Sequence, residues 1–258
     1  MNDSVLMAEM TWAEYQAKIE AGAVCFLPVG SLEQHGYHLC LNVDTLLPTA
    51  VCEKTARAVN GVVVPCVQYG YKSLQRSGGG NYYPGTVSLD AGNLVGTIRD
   101  ILREIIRHGA RKIVLVSGHY ENNMFMLEGI DLARRDAEAR GVNDVLIMML
   151  SYWDFLNDPD VIDTLYPDGL PGWDVEHAGL FETSLMLHLY PHLVDLSKAV
   201  QHPPAKFPAY DMFPPHKEWT PAPGTLSSPQ GSTAEKGELI LKTCVDGIVA
   251  VVKKEFRV

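Results

Sequence analysis

Two pairs of residues in this sequence combine a carboxylate with an imidazole two positions apart. The pairs are Glu33-x-His35 and His119-x-Glu121, and each directly follows a short apolar run. Residues i and i+2 of an extended chain point to the same side, so each pair can project both side chains in one direction. Nitrogen and oxygen donors of this kind suit Zn²⁺ or Mn²⁺ better than a metal that prefers thiolates.

A third carboxylate, Asp44, follows the first pair and lies just before a predicted helix. It can cap that helix or turn toward the two pairs, and these roles are compatible. Five donors exceed the four that a tetrahedral zinc needs, and one carboxylate can bridge two ions. The set therefore predicts a two-metal centre, with ions about 3.5–4 Å apart and a bridging water deprotonated near neutral pH. Anion binding or simple turn chemistry is the alternative that spacing leaves open.

Longer stretches around these residues have a family likeness. The stretch PVGSLEQHGYHLCLNVD together with SGHYENN resembles the creatininase (creatinine amidohydrolase) family. The segments YGYKSLQRSGGGNYYPGT, LSYWDF, GWDVEHAGLFETSLML and APGTLSS are also similar, so the likeness covers most of the chain. The Ser/Gly-rich loop and the tryptophan segments resemble creatininases in the narrow sense. Tyr37 departs from the family, where His or Pro often follows E-Q-H-G, and this difference concerns specificity rather than metal binding.

The resemblance implies a set of site residues and a reaction. The implied metal ligands are Glu33, His35, Asp44, His119 and Glu121, with Asp44 bridging two divalent ions, Zn²⁺ and/or Mn²⁺. The implied substrate contacts are Ser77, Tyr120, Trp173, Asp174 and His177. The implied reaction is reversible hydrolysis of the lactam C–N bond of creatinine to give creatine, in a homohexamer. A deformylase or amidase acting on a formamidopyrimidine or another small amide is the alternative enzyme, and a non-catalytic metal-binding module is the other class considered.

His177 is the candidate general acid, because histidine side chains titrate near neutral pH and can protonate the departing ring nitrogen. Glu182 is a possible orienting partner of His177, although a carboxylate near a helix start also suits the helix dipole. Glu121 is counted with the catalytic residues as well as with the ligands. The alternative for His177 is an ordinary surface histidine.

Trp153 and Trp173 both lie in irregular segments, where we expect an aromatic side chain to line a pocket rather than fill a core. A tryptophan face can also attract a guanidino group by cation–π interaction. We therefore predict that both flank the substrate, and that residues 170–178 close over it as a lid.

The elements that must position these residues alternate between strand and helix through the first 150 residues. The strands are predicted at 23–30, 62–67, 113–117 and 145–150, and the helices at 45–59, 90–108, 121–140 and 179–190. Capping boxes predict helix starts at Thr11-x-x-Glu14 and Ser232-x-x-Glu235. Residues 70–88 read as a loop and 202–230 as a Pro-rich arm. The pattern predicts an α/β fold, a three-layer αβα arrangement whose mostly parallel central sheet is flanked by helices, in one domain over residues 1–258. Ligands bind such sheets beyond the carboxyl ends of the strands.

The amino-acid composition limits the classes of binding partner that we expect. Acidic residues outnumber basic ones 31 to 21, for a net charge of −10, and this field disfavours nucleic acids and anionic membranes. The sequence shows no signal peptide pattern and no apolar run near the roughly 20 residues of a membrane helix. Five scattered cysteines without a C-x-x-C pair predict reduced thiols. We therefore expect a cytoplasmic protein that acts on a small molecule and binds neither nucleic acid nor membrane.

Overall fold

Four parallel strands form the central sheet of the computed structural model, which describes residues 3–258. The strands are β1 (Val24–Val29), β2 (Gly61–Val63), β3 (Lys112–Ser117) and β4 (Leu146–Ser151), in the order β2-β1-β3-β4. The central pair, β1 and β3, runs in register from Cys25 opposite Ile113 to Val29 opposite Ser117. Both strands therefore end at the same edge, and the polar segments that follow them lie side by side.

The sheet is buried because its strands are apolar on both faces. Along β1, Val24 and Phe26 join one core, whereas Cys25, Leu27 and Val29 join the other. Period-two alternation between two covered faces requires helices on each side of a parallel sheet. This arrangement confirms the predicted three-layer αβα fold.

Two groups of helices cover the faces of the sheet. One core contains residues of α1 (Trp12–Glu20), α4 (Ala91–Arg107) and α5 (Asn123–Ala139). The other contains residues of α2 (Val43–Ala58), α6 (Pro159–Leu165), α7 (Leu180–Leu189) and α8 (Ala234–Phe256). Among residues 3–258, no helix is both long and apolar enough to cross a membrane.

Two local predictions differ from the structure for identifiable reasons. Strand β2 stops at Val63 rather than reaching Val67, because Pro65 has no N–H to donate to a ladder. Helix α8 is capped by Thr233, whose side chain accepts the Lys236 N–H. The predicted cap, Ser232, instead donates its hydroxyl to the Pro229 carbonyl at 2.6 Å.

The long loop predicted at 70–88 contains one short helix, α3 (Gln75–Gly78). The capping box at Thr11 is present, with Glu14 bonded back to the Thr11 N–H. The cysteines are all free, as expected. The single-domain assignment to residues 1–258 stays a prediction, and Met1 and Asn2 lie outside the described residues.

Candidate metal centre

The first turn of α2 is wedged between the ends of β1 and β3. Helix α2 begins at Val43 with Asn42 as its N-cap, so Asp44 lies inside the first turn and does not cap the helix as the sequence allowed. A Cβ added at Gly30 or at Gly118 would lie 2.4 Å from the Asp44 carbonyl oxygen. Glycines at both strand ends therefore let the helix approach closely enough for its carboxylate to reach both predicted pairs.

Glu33, Asp44 and His119 form one cluster whose donor atoms converge. His119 Nδ1 lies 3.1 Å from Glu33 Oε1 and 3.2 Å from Asp44 Oδ2. Its other nitrogen, Nε2, lies 3.1 Å from the Tyr71 carbonyl oxygen, which can only accept a hydrogen. The neutral ring therefore carries its proton on Nε2 and turns the Nδ1 lone pair toward two carboxylate oxygens.

His35, Asp44 and Glu182 form a second cluster built in the same way. His35 Nδ1 lies 3.1 Å from the Glu33 carbonyl oxygen and donates to it, so Nε2 presents the lone pair. That nitrogen lies 3.1 Å from Asp44 Oδ1 and 3.7 Å from Glu182 Oε2. Asp44 thus contributes one oxygen to each cluster.

The carboxylates around each imidazole favour a positive charge in both clusters, as the direction of the pKa shifts shows. Burial lowers the pKa of the His35 imidazole, but Asp44 and Glu182 outweigh it and raise the pKa well above its ordinary value. The pKa of His119 is raised in the same way, against burial, chiefly by Glu121 and Glu33. Each cluster is therefore arranged to hold a positive charge.

The donor chemistry fits two divalent ions. Asp44 Oδ2 and Glu33 Oε2 are buried without a hydrogen-bond partner, among the described residues. Both histidines donate their second ring N–H to a backbone carbonyl, the arrangement that orients metal-binding imidazoles in proteins. Each cluster offers one nitrogen and two carboxylate oxygens, a set that suits Zn²⁺ or Mn²⁺.

Glu121 lies beside the first cluster but makes other contacts. Its Oε1 accepts the Leu74 N–H at 2.8 Å and the Ser77 hydroxyl at 2.7 Å. Its Oε2 lies 3.4 Å from His119 Nε2, the nitrogen that faces away from Glu33 and Asp44. The ligand role of Glu121 stays a prediction, and Glu182 has the stronger geometric case as the partner of His35 and Asp44.

The Gln34 side chain determines which nitrogen His177 presents to the site. Gln34 Oε1 accepts the Gly36 N–H at 2.9 Å, which fixes the orientation of the amide. Both amide hydrogens of Gln34 then point at carbonyl oxygens, those of Gly78 at 3.2 Å and Gly224 at 2.9 Å. Gln34 Nε2, although 3.0 Å from His177 Nε2, has no third hydrogen to donate.

His177 must therefore donate from Nε2 to the backbone carbonyl of Gln34, which lies 2.9 Å away. Its Nδ1 then points inward and lies 3.7 Å from Glu33 Oε1. The His177 ring also lies 4.5 Å from that of His35, measured between centroids. Geometry thus brings His177 to the metal centre with Nδ1 as the nitrogen free to accept or release a proton.

A cavity of about 830 Å³ opens above the two clusters. Every predicted substrate contact lines it, namely Ser77, Tyr120, Trp153, Trp173, Asp174 and His177. Trp173 and Tyr120 remain 41% and 64% exposed, so they stand at the wall rather than in the core. Sequence reasoning gave no role to Glu176, Arg76, Asp154 or Asp211, which line the same cavity. The first three lie in segments that carry the family likeness, but no residue spacing marks them out.

Substitution of Gly118 by Ala is expected to weaken metal binding by roughly 10- to 100-fold, the usual effect of disturbing a residue that supports a ligand. The new Cβ would lie 2.4 Å from both the Asp44 carbonyl oxygen and Pro48 Cγ, so the first turn of α2 must move. Titration with metal in competition with a chelator measures the change. Gly92→Ala in α4 is the control, since its Cβ meets nothing within 4 Å. Equal affinity in Gly118→Ala and wild type would contradict the proposed packing.

Two metal-binding clusters that share a carboxylate, at the carboxyl edge of a parallel sheet and below a cavity, define a binuclear metallohydrolase. The chain belongs to the creatininase family, whose model, described as creatinine amidohydrolase, matches residues 8–252. This match confirms the resemblance inferred from the motifs.

Individual relatives are similar over nearly the whole chain. The sequence is 59% identical over 257 residues to the creatinine amidohydrolase of Pseudomonas putida, covering 99% of each protein. A creatininase variant of Zn–Zn type has a TM-score of 0.97 at 58% identity, covering 99% of each chain. A Mn form of creatininase has the same TM-score and identity, covering 98% of this chain and 99% of that one. A creatininase variant complexed with creatine has a TM-score of 0.96 at 58% identity, with the same coverage.

Proposed function

We propose that this chain is a two-metal cyclic amidohydrolase that opens the lactam ring of creatinine to give creatine. The observation that carries the proposal is the sharing of Asp44 by two buried clusters beneath a cavity lined by His177 and two tryptophans. The family assignment supports it, as does the similarity to proteins that act on creatinine or hold creatine.

The ions would be Zn²⁺ or Mn²⁺, as in the related structures. Glu33, Asp44 and His119 would hold one ion, and His35, Asp44 and Glu182 the other. When bound, such ions supply a water that ionises near neutral pH and a Lewis acid that polarises the amide carbonyl.

The residues of the chain itself orient the substrate and move the proton. His177 takes up a proton at Nδ1 and releases it to the ring nitrogen that departs, while its Nε2–H stays on the Gln34 carbonyl. Trp153 and Trp173 face the cavity and flank the planar guanidino part of the substrate. Ser77, held by Glu121 at 2.7 Å, presents a hydroxyl to the same space.

Creatine formation from creatinine by protein of measured metal content tests the function. We expect turnover that disappears when the metal is removed and returns when Zn²⁺ or Mn²⁺ is added. A protein that holds two ions and leaves creatinine intact, but hydrolyses a formamidopyrimidine or another linear amide, would support the alternative enzyme. Failure to hydrolyse any amide would favour a non-catalytic metal-binding module.

Replacement of Glu182 by Gln is expected to lower the metal content from two ions per chain to about one. Glu182 Oε2 faces the His35 nitrogen and also accepts the Ala178 N–H at 2.6 Å, so the amide removes a charged ligand at a fixed position. Glu121→Gln, whose Oε1 bonds Leu74 and Ser77, is expected to retain both ions while losing activity. Elemental analysis of both variants checks the assignment. Loss of an ion in Glu121→Gln alone would return Glu121 to the ligand set.

The assembly, the location and the lid belong to the same proposal. The family resemblance implies a homohexamer. Light scattering after gel filtration measures the number of 28.4 kDa chains in the assembly. The cytoplasmic location is supported by the five cysteines, none of which is paired in a disulfide among the described residues. Residues 173–177 line the cavity, and the movement of residues 170–178 as a lid stays a prediction.

A further inference from the structure

Glu176 carries a carboxylate that neither metal cluster uses. Its Oε1 accepts the Tyr166 hydroxyl at 2.8 Å and the Phe181 N–H at 2.5 Å, and its Oε2 accepts the Ser227 hydroxyl at 2.6 Å. The three donors come from the end of α6, the first turn of α7 and the loop before α8. One side chain therefore ties three separate elements together.

The same neighbours hold the ring of Trp173. Tyr166 meets Trp173 edge-on, with centroids 6.4 Å apart and planes at 85°, and Phe181 meets it at 6.0 Å and 90°. Such edge-to-face contacts depend on the relative orientation of the rings. Because Glu176 bonds both Tyr166 and Phe181, it sets the spacing of the two walls between which Trp173 stands.

The backbone around Glu176 is packed so closely that its carboxylate has little room to move. A Cβ added at Gly179 would lie 2.2 Å from both Glu176 Oε2 and Ser227 Oγ. The Leu226 N–H bonds the His177 carbonyl at 3.1 Å, so the loop that holds Ser227 also holds the general-acid candidate. The segment from Trp173 to His177 thus contacts neighbouring elements at both ends.

We propose that Glu176 is a positioning residue that places Trp173 and His177 together over the metal clusters. This inference rests on the proposed function and deepens it. Although Glu176 borders the cavity, both of its oxygens are engaged by the protein, so it acts through its neighbours and not on the substrate. Burial raises the pKa of the Glu176 carboxyl, and its three donors act in the opposite direction.

For this role the side chain at position 176 must accept hydrogen bonds, and its negative charge is not needed. In Glu176→Gln the amide oxygen can still accept from Tyr166 and Phe181, and the amide N–H₂ can donate to the Ser227 hydroxyl after that hydroxyl rotates. In Glu176→Ala three donors lose their acceptor, including a backbone N–H that cannot rotate away. The conservative variant should therefore restore what the alanine variant loses.

The experiment compares Glu176→Ala, Glu176→Gln and the control Asp163→Ala, which removes an exposed carboxylate from α6. We expect Glu176→Ala to keep two ions but lose about 10²-fold in kcat/KM for creatinine, shared between kcat and KM, because Trp173 and His177 both shift. Glu176→Gln is expected within about threefold of wild type, and Asp163→Ala unchanged. A Gln variant as impaired as the Ala variant would overturn a positioning role, since charge itself would then be needed.

A second readout does not depend on turnover. Acrylamide quenching of tryptophan fluorescence is measured in each variant and in the same variant that also carries Trp173→Phe. The difference between the two isolates the accessibility of Trp173. We expect greater accessibility in Glu176→Ala and a wild-type value in Glu176→Gln, and an unchanged value in Glu176→Ala would overturn the inference. If the wild-type protein proves inactive on creatinine, the proposed function fails, but the quenching measurement still tests the role of Glu176. If Glu176→Ala does not fold, Tyr166→Phe and Ser227→Ala each remove one bond, and unchanged kinetics and quenching in both would overturn it.

Discussion

Asp44→Asn is expected to lose both metal ions and more than about 10³-fold in creatinine turnover. Asp44 gives Oδ1 to the cluster with His35 and Oδ2 to the cluster with His119, at 3.1 and 3.2 Å from the two ring nitrogens. Asparagine keeps one oxygen, carries no charge and turns an N–H₂ group toward a nitrogen lone pair. A single substitution therefore damages both halves of the site.

Elemental analysis after gel filtration and a creatine assay measure the two consequences of Asp44→Asn together. The metal content is expected to fall from two ions per chain to less than one. Asp136→Asn on α5 is the control, because its partner Arg99 lies on the helix layer away from the clusters. Two retained ions with full activity in Asp44→Asn would remove the shared carboxylate from the proposal.

Much of this site was predictable because its signals are local. The apolar runs predicted β1 and β3. The i, i+2 argument assumed extended backbone, and for the second pair it was wrong: Tyr120–Asn122 form a 3₁₀ turn, and Glu121 faces Leu74 and Ser77. Parallel pairing then brings the ends of the two strands together, as the register shows. Family resemblance supplied five of the predicted substrate contacts, and all five line one cavity.

The remaining features depend on packing between distant segments, which no local pattern records. Glu182 reaches His35 because α7 packs against α2 and α8, and the sequence shows only a carboxylate near a helix start. Gln34 lies inside the E-Q-H-G motif, but its effect on His177 follows from counting amide hydrogens against carbonyls in space. The hydrogen bonds of Glu176 likewise join three elements, and no periodic pattern or motif in the sequence indicates that these elements lie close together.

His177→Ala is expected to lower kcat by about 10²- to 10⁴-fold, the range for a general acid–base group, with a small change in KM. The reason is the fixed ring: Nε2 is held by the Gln34 carbonyl, so Nδ1 is the nitrogen that can transfer a proton. The control is His188→Ala, which removes a histidine from the last turn of α7.

Two further measurements on His177 variants separate proton transfer from metal binding. Added imidazole should restore part of the activity of His177→Gly, because the cavity of about 830 Å³ can admit it. Both ions should remain in these variants if His177 Nδ1 only transfers a proton and does not bind metal. However, Glu33, His35 and His177 also bring their donor atoms within 4.8 Å of one another. Loss of an ion without rescue by imidazole would therefore make His177 a ligand. The proton would then have to pass through another group at the cavity wall, and Glu121, which lies 3.4 Å from His119 and already bonds Ser77, is the candidate beside the clusters.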